Sequence, residues 1–302
     1  MTWATLVAAI ILVALVVYTL TGGADFGGGV WDLLASGKRA SRQRQVIDNA
    51  IGPIWEANHV WLIVVIVLMF VCFPSAFAAV STALHIPLTL MLMGIVLRGT
   101  AFVFRHYDDP ALYRQWSSVF AVASVATPFF LGVSLGAVAS GTMRITDGQV
   151  QTDFFSEWLA PFPLAVGVFT VSLFALLAAT YLAVEANDDA IRGDFRWRGI
   201  VAAVFTAGFA YLSLALSHDG APHVYAALTA QWWSLPFQVL AGLLGTGISG
   251  ALREDIRAVI EALDRLGKPV LALDVPSGLN ADTGAPAGAV LSADCTITFI
   301  GV

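Results

Sequence analysis

The chain has 302 residues, of which 58% are apolar and 12% charged, with a formal net charge of -6 and a mean hydropathy of +0.80. Soluble domains carry roughly 25% charged residues, so this composition excludes a soluble enzyme with a large core and points to a multi-span membrane protein. No basic patch interleaved with aromatics is present, which leaves nucleic-acid binding without support.

A helix needs about 20 apolar residues to cross the hydrocarbon. Six runs meet that length: 3–21, 55–80, 84–104, 117–139, 161–184 and 199–216. A seventh, 235–244, is short and leads into glycines, and is kept as an alternative crossing. The expected fold is therefore an all-α polytopic membrane protein. The first run starts at Met1-Thr2-Trp3 without a basic segment or a small-residue cleavage site, so it is expected to be a retained span. Thr21-Gly22-Gly23-Ala24-Asp25-Phe26-Gly27-Gly28-Gly29 is expected to close it, the glycines breaking the helix and letting a neighbour approach. Lys38, Arg39, Arg42 and Arg44 fill the first loop, Arg105 and Arg114 flank the third, and Arg192, Arg196 and Arg198 fill the fifth. The second and fourth loops supply Arg144 alone. Positive charge collects on the cytoplasmic side, which places the N-terminus outside.

The second run opens with Pro53-Ile54-Trp55-Glu56-Ala57-Asn58-His59-Val60-Trp61-Leu62. Ionisable groups at membrane depth are expensive and are functional candidates by default. Asp25 and Glu56 are thus candidates for a proton path, with a water-exposed helix cap as the alternative for Asp25. Glu56 and His59 are three apart on one helical face and can pair. A di-iron site would need a second Glu-x-x-His and further glutamates, which the sequence lacks. Trp55 and Trp61 are expected at the membrane interface. Cys72 lies in an apolar run and is expected as a small core residue; with the distant Cys295 it forms neither a disulfide framework nor a CxxC pattern. Arg98 interrupts the third span. It either snorkels to the nearby cytoplasmic surface or pairs with a buried carboxylate such as Glu56. His85 is expected at the outer surface, and His106, His218 and His223 in loops.

Four segments carry a resemblance: Thr21 to Gly29, the basic loop, Asn49 to Leu62 and Leu97-Arg98-Gly99. In order and spacing they resemble subunit II of the cytochrome bd-type quinol oxidases, over residues 1–240. The resemblance implies a bacterial inner-membrane respiratory complex that oxidises quinol and reduces oxygen. It implies that haems b and d and the quinol-oxidising loop belong to a partner, subunit I, and that this chain binds no cofactor of its own. It also implies a role in assembly and in proton delivery from the cytoplasm, with Asp25 and Glu56 at two acidic motif positions and Asn58, Trp55, Trp61 and Arg98 as supporting residues. Many members carry an aspartate where this chain has Gly22.

Composition shifts near Leu244. Gly245-Thr246-Gly247-Ile248-Ser249-Gly250 fits G-x-G-x-x-G ahead of a helical pattern over 251–266, and a strand over 270–274 ends in Asp274. The order is that of an incomplete α/β, Rossmann-like fragment. Residues 244–302 resemble the NAD(P)H-hydrate epimerase domain. That resemblance implies phosphate contacts at Gly245, Gly247 and Gly250, a substrate contact at Asp274 and a potassium ligand at Ser277. The family's aspartate before the glycine loop is replaced by Ala241 and its upstream Asn-Asn-Gly-Gly-Asp segment is missing, so no epimerase activity is expected. The leading expectation is a bd oxidase subunit II with a chimeric C-terminus. A membrane-tethered epimerase and a stand-alone proton channel are the alternatives.

Overall fold

The computed structural model describes residues 2–51, 55–104, 110–146, 149–151 and 153–230, together with 271–273 and 295–297. For 55–57, 110–112, 114, 145, 149, 271–273 and 295–297 the description is of backbone alone. The first compact unit, Met1–Phe237, is a bundle of helices. These are α1 (Trp3–Leu33), α2 (Ala40–Ile51), α3 (Trp55–Cys72), α4 (Pro74–Ala83), α5 (His85–Phe104), α6 (Pro110–Ser140), α7 (Pro161–Glu185), α8 (Asp189–Gly220) and α9 (Pro222–Thr229). A short antiparallel hairpin, β1 (Arg144–Thr146) with β2 (Gln149–Gln151), separates α6 from α7. α1 is central and packs against α2, α3, α6 and α7, while α7 packs on α8 and α5 on α6. Five helices are long and apolar enough to cross a membrane, and six if α3 and α4 count as one bent span.

Several expectations change. The glycine segment does not end the first helix, because α1 runs unbroken to Leu33. Glycine costs about 1 kcal/mol per position in a helix, and here close packing offsets it. A Cβ on Gly27 would strike the backbone carbonyl of Phe174, and one on Gly29 would strike the Ser124 side chain. Second, the run 55–80 is not one straight span. It breaks at Phe73 (φ -134°, ψ 56°) ahead of Pro74, and α3 and α4 are bent by 117°. Proline has no N–H to continue the helical ladder and clashes with the preceding turn. Third, Arg192, Arg196 and Arg198 are not in a loop. α8 begins at Asp189, with the Asp188 carboxylate accepting from the Ala190 N–H as N-cap. His218 and His223 likewise lie in α8 and α9. Cys72 is exposed on the bundle surface and is not a core residue. His85 is exposed; His106 lies outside the described residues.

The basic first loop is largely a helix. α2 is amphipathic, burying Gln43, Ile47, Ala50 and Ile51, and Arg39 just before it and Arg42 within it bind the start of α8. Arg39 donates to Asp194 through Nε at 2.8 Å, and Arg42 donates to Asp188 at 3.2 Å. The Asp194 carboxylate raises the Arg39 pKa above its ordinary value, chiefly through that hydrogen bond.

On the opposite end, Asp153 accepts from the backbone N–H groups of Ser156 (2.7 Å) and Phe155 (2.9 Å), which hold its carboxyl below the usual range. A depressed carboxyl stabilises above its unfolded pKa, and that contribution is lost as pH falls through the folded one. Asp153→Asn is therefore expected to speed amide exchange at Phe155 and Ser156 at neutral pH and to differ little from wild type in acid. Equal exchange at pH 7 would count against this cap.

The second unit spans Gln238–Val302. Within it, β3 (Leu271–Leu273) pairs in parallel with β4 (Cys295–Ile297), Leu271 opposite Cys295. Gly245, Gly247, Gly250, Asp274, Ser277 and the run 235–244 lie outside the described residues.

Candidate functional site

α1, α3, α5 and α6 converge on one buried polar cluster. Asp25 projects from α1 and Arg98 from α5, the two being 0% and 2% exposed. The guanidinium grips the carboxylate with both terminal nitrogens: Nη1 donates to Oδ2 at 3.1 Å, and Nη2 donates to Oδ1 and, at 3.1 Å, to the Asp25 carbonyl. The remaining donor, Nε, reaches Ser124 Oγ on α6 at 3.0 Å, and that hydroxyl donates onward to the Phe120 carbonyl. Rings of Phe26 and Phe120 lie 4.7 and 4.8 Å from the guanidinium carbon. Asn58 on α3 donates to Asp25 Oδ2 at 2.9 Å and accepts from Thr21 Oγ1 at 3.3 Å.

Each part follows from the sequence's local chemistry. Arg98 can reach inward because Gly94, one turn earlier on α5, lets Thr127 of α6 come close. Asp25 sits in the glycine-rich stretch where α1 can approach α6 and α7. A buried ion pair repays its desolvation only when its remaining donors and acceptors are satisfied, and here every Arg98 nitrogen is engaged.

Several expectations are thereby corrected. Asp25 is not a water-exposed cap. Arg98 does not snorkel: it is buried, and its bidentate partner is Asp25 on α1. Glu56 and Trp55 begin α3, their side chains outside the described residues. Asn58 is two positions beyond Glu56 and is buried in the cluster, while His59 is half-buried with its ring 6.4 Å from that of Phe26. Trp61 is partly exposed at the bundle surface. Gly22 faces Asn58, whose Nδ2 would lie 3.5 Å from an added Cβ. Ser124, Phe120 and Thr21 were not singled out from the sequence; a serine one turn beyond Phe120 in an apolar run is the signal that could have marked Ser124. Among the described residues no group of three or more His, Cys, Asp or Glu side chains is placed to hold a metal.

A profile of the family described as Cytochrome bd terminal oxidase subunit II matches residues 3–263. The chain belongs to this family. The match passes residue 240, where the resemblance read from the sequence ends. Cytochrome bd-I ubiquinol oxidase subunit 2 of Escherichia coli (strain K12) is 28% identical over 174 residues, covering 56% of this chain and 45% of that one. The chain thus spans about half the length of the curated relatives it matches. A chain from the structure of bd oxidase from Geobacillus thermodenitrificans shares the fold, with a TM-score of 0.63 at 18% identity, covering 80% of this chain and 77% of that one. A separate likeness, 56% over 62 residues, is to the Bifunctional NAD(P)H-hydrate repair enzyme of Leishmania braziliensis, covering 20% of this chain and 11% of that one. The segments around Asp25, Asn58 and Arg98, which carry the resemblance in the sequence, are the ones that meet in the cluster.

Proposed function

We propose that this chain is the non-haem subunit of a cytochrome bd-type quinol:oxygen oxidoreductase. It lies in a bacterial inner membrane with its N-terminus outside, packs against a haem-bearing subunit I and supports assembly and proton delivery to it. The observation that supports this reading is the convergence of the Asp25, Asn58 and Arg98 motif segments on one buried cluster. Haems b and d belong to the partner in this reading, and quinol is the substrate of the complex. The tail, 244–302, is an incomplete epimerase-like fragment without turnover of its own.

In this reading the two carboxylates, Asp25 in the cluster and Glu56 on α3, have different tasks. Asp25 is held by Arg98 and Asn58 in a fixed geometry, which suits a clamp between α1, α3 and α5. Glu56, in the first turn of α3 on the side of the basic residues, takes up protons from the cytoplasm and passes them towards the partner. His59, one turn on, is its relay neighbour. Clamping Asn58 fixes the turn that carries Glu56.

The decisive experiment is to purify the tagged chain from membranes and record the reduced-minus-oxidised spectrum of what accompanies it. A co-purifying haem-bearing subunit is expected; a haem-free chain that conducts protons in liposomes would favour a channel instead. Within the assembled complex, Glu56→Gln is expected to slow oxygen reduction about a hundredfold, the lower end of the scale of a lost proton-transfer group. Unaltered rates and spectra would remove Glu56 from the path.

A further inference from the structure

A second polar site lies away from the cluster, where the end of α1 and the following loop meet the first turns of α8. It is a cavity of about 440 Å³, lined among others by Lys38, Arg39, Gln43, Asp194, Trp197 and Arg198. Three cations face one carboxylate, and that carboxylate is already committed: Asp194 accepts from Arg39 and from Gln43 Nε2 at 2.8 Å. Two cations retain unused capacity. Lys38 is exposed and makes no ion pair among the described residues. Arg198 is half-buried, its guanidinium 5.5 Å from the Trp31 ring and 5.4 Å from that of Phe195. Its Nη2 donates to Gln43 Oε1 at 2.8 Å and to the Leu34 carbonyl at 3.4 Å, while Nη1 is buried and has no acceptor among the described residues.

The surroundings select a lipid over a free ion. α1 and α8 have 31 and 32 residues, about 46 and 48 Å at 1.5 Å per residue, against a hydrocarbon core of roughly 30 Å. Their polar ends therefore reach the headgroup level. Below the cavity, Trp197, Ile200, Val204 and Tyr211 recur on one exposed face of α8, and Leu33 and Leu34 are exposed at the end of α1. A tryptophan at the headgroup level above an apolar lane is the pattern of a lipid contact. Basic pockets between cytoplasmic helix ends accept phosphate headgroups, and the cytoplasmic leaflet is the anionic one.

We propose that this cavity binds the phosphate headgroup of an anionic phospholipid, held by Lys38 and Arg198, with its acyl chains along the exposed face of α8. The site stands apart from the oxidase reading, because its test reads lipid and not respiration. The full chain, with any subunit that co-purifies, is delipidated by detergent exchange. It is then offered dioleoylphosphatidylglycerol, dioleoylphosphatidylcholine or inorganic phosphate, and bound lipid is counted by native mass spectrometry. Phosphatidylglycerol is expected to be retained in preference to phosphatidylcholine. Lys38→Ala should weaken that retention about fivefold, the share of one basic residue near a membrane surface, and Lys38→Glu should weaken it further. Arg198→Lys, which keeps the charge but removes the planar donors, should weaken it as well. Lys38 is exposed, so its variants test the site even if Arg198→Lys disturbs the fold. Equal retention of the two lipids, or unchanged retention in both Lys38 variants, would overturn the proposal. Displacement of phosphatidylglycerol by millimolar phosphate would overturn the lipid assignment in favour of a free anion.

Discussion

Arg98→Leu is expected to prevent the chain from accumulating as a folded membrane protein. The substitution leaves the Asp25 carboxylate 0% exposed with Asn58 as its remaining side-chain partner. Removing one member of a buried pair costs about 3–5 kcal/mol, because the charge left behind has neither water nor a counter-ion. Whole domains are stable by roughly 5–15 kcal/mol, so a loss on this scale decides folding. Four helices meet at the site, and the damage should spread to the α1, α3, α5 and α6 contacts together. Asp25→Leu with Arg98→Leu removes both charges and is expected to recover most of the lost stability, since an apolar replacement of a whole pair is often neutral. The measurement is the yield of monodisperse protein after detergent extraction and its thermal midpoint. A stable Arg98→Leu single variant would show that the pair does not clamp the bundle. The double variant also separates the two roles of Asp25: retained oxygen reduction in the assembled complex is expected of a clamp, and its loss would place Asp25 in the proton path.

The spans were legible from sequence because apolar transfer acts locally: a run long enough to cross is visible without its neighbours. What joined the spans was less legible. Arg98 and Asp25 are 73 positions apart, and the partner expected for a buried Arg98 from the chain alone was Glu56, not Asp25. Spacing cannot choose between them; the packing of α1 and α5 on α6 does. The bend at Phe73 was signalled, since Pro74 stands inside the run and a helix ordinarily stops before a proline. The start of α8 was signalled too, by Asp188 and Asp189 at its N-cap and first turn. The dense arginines just beyond them obscure that signal in the sequence. Of these, Arg198 is bonded to Gln43 of α2, and Arg192 to Asp189 and the Ala186 carbonyl at the α7–α8 corner. A residue's charge says that it needs a polar partner, not that its backbone is irregular.

The glycine stretch of α1 gives the other large effect. Gly22→Ala and Gly27→Ala make the same chemical change five positions apart in one helix, and each gains up to about 1 kcal/mol of intrinsic helix propensity. At Gly22 the new methyl group would meet the Asn58 side chain at 3.5 Å, ordinary van der Waals contact. Gly22→Ala is therefore expected to be neutral or slightly stabilising. At Gly27 the same methyl group would occupy the space of the Phe174 carbonyl and press on the Ala178 Cβ. Neither can move without shifting the backbone of α7, and the α1–α7 contact is among the principal packings of the bundle. Overpacking of this kind costs about 1–3 kcal/mol and more where backbone must move, so Gly27→Ala should lower the thermal midpoint despite its better propensity. Separating α1 from α7 would also draw Trp31 away from the Ala175 carbonyl, to which its indole N–H donates at 2.8 Å. A change in tryptophan emission should then accompany the loss in Gly27→Ala and be absent in Gly22→Ala. If both variants melt alike, the glycines serve the helix and not the helix pair. If Gly27→Ala alone falls, the stretch that looked like a helix terminator is the surface on which the bundle closes.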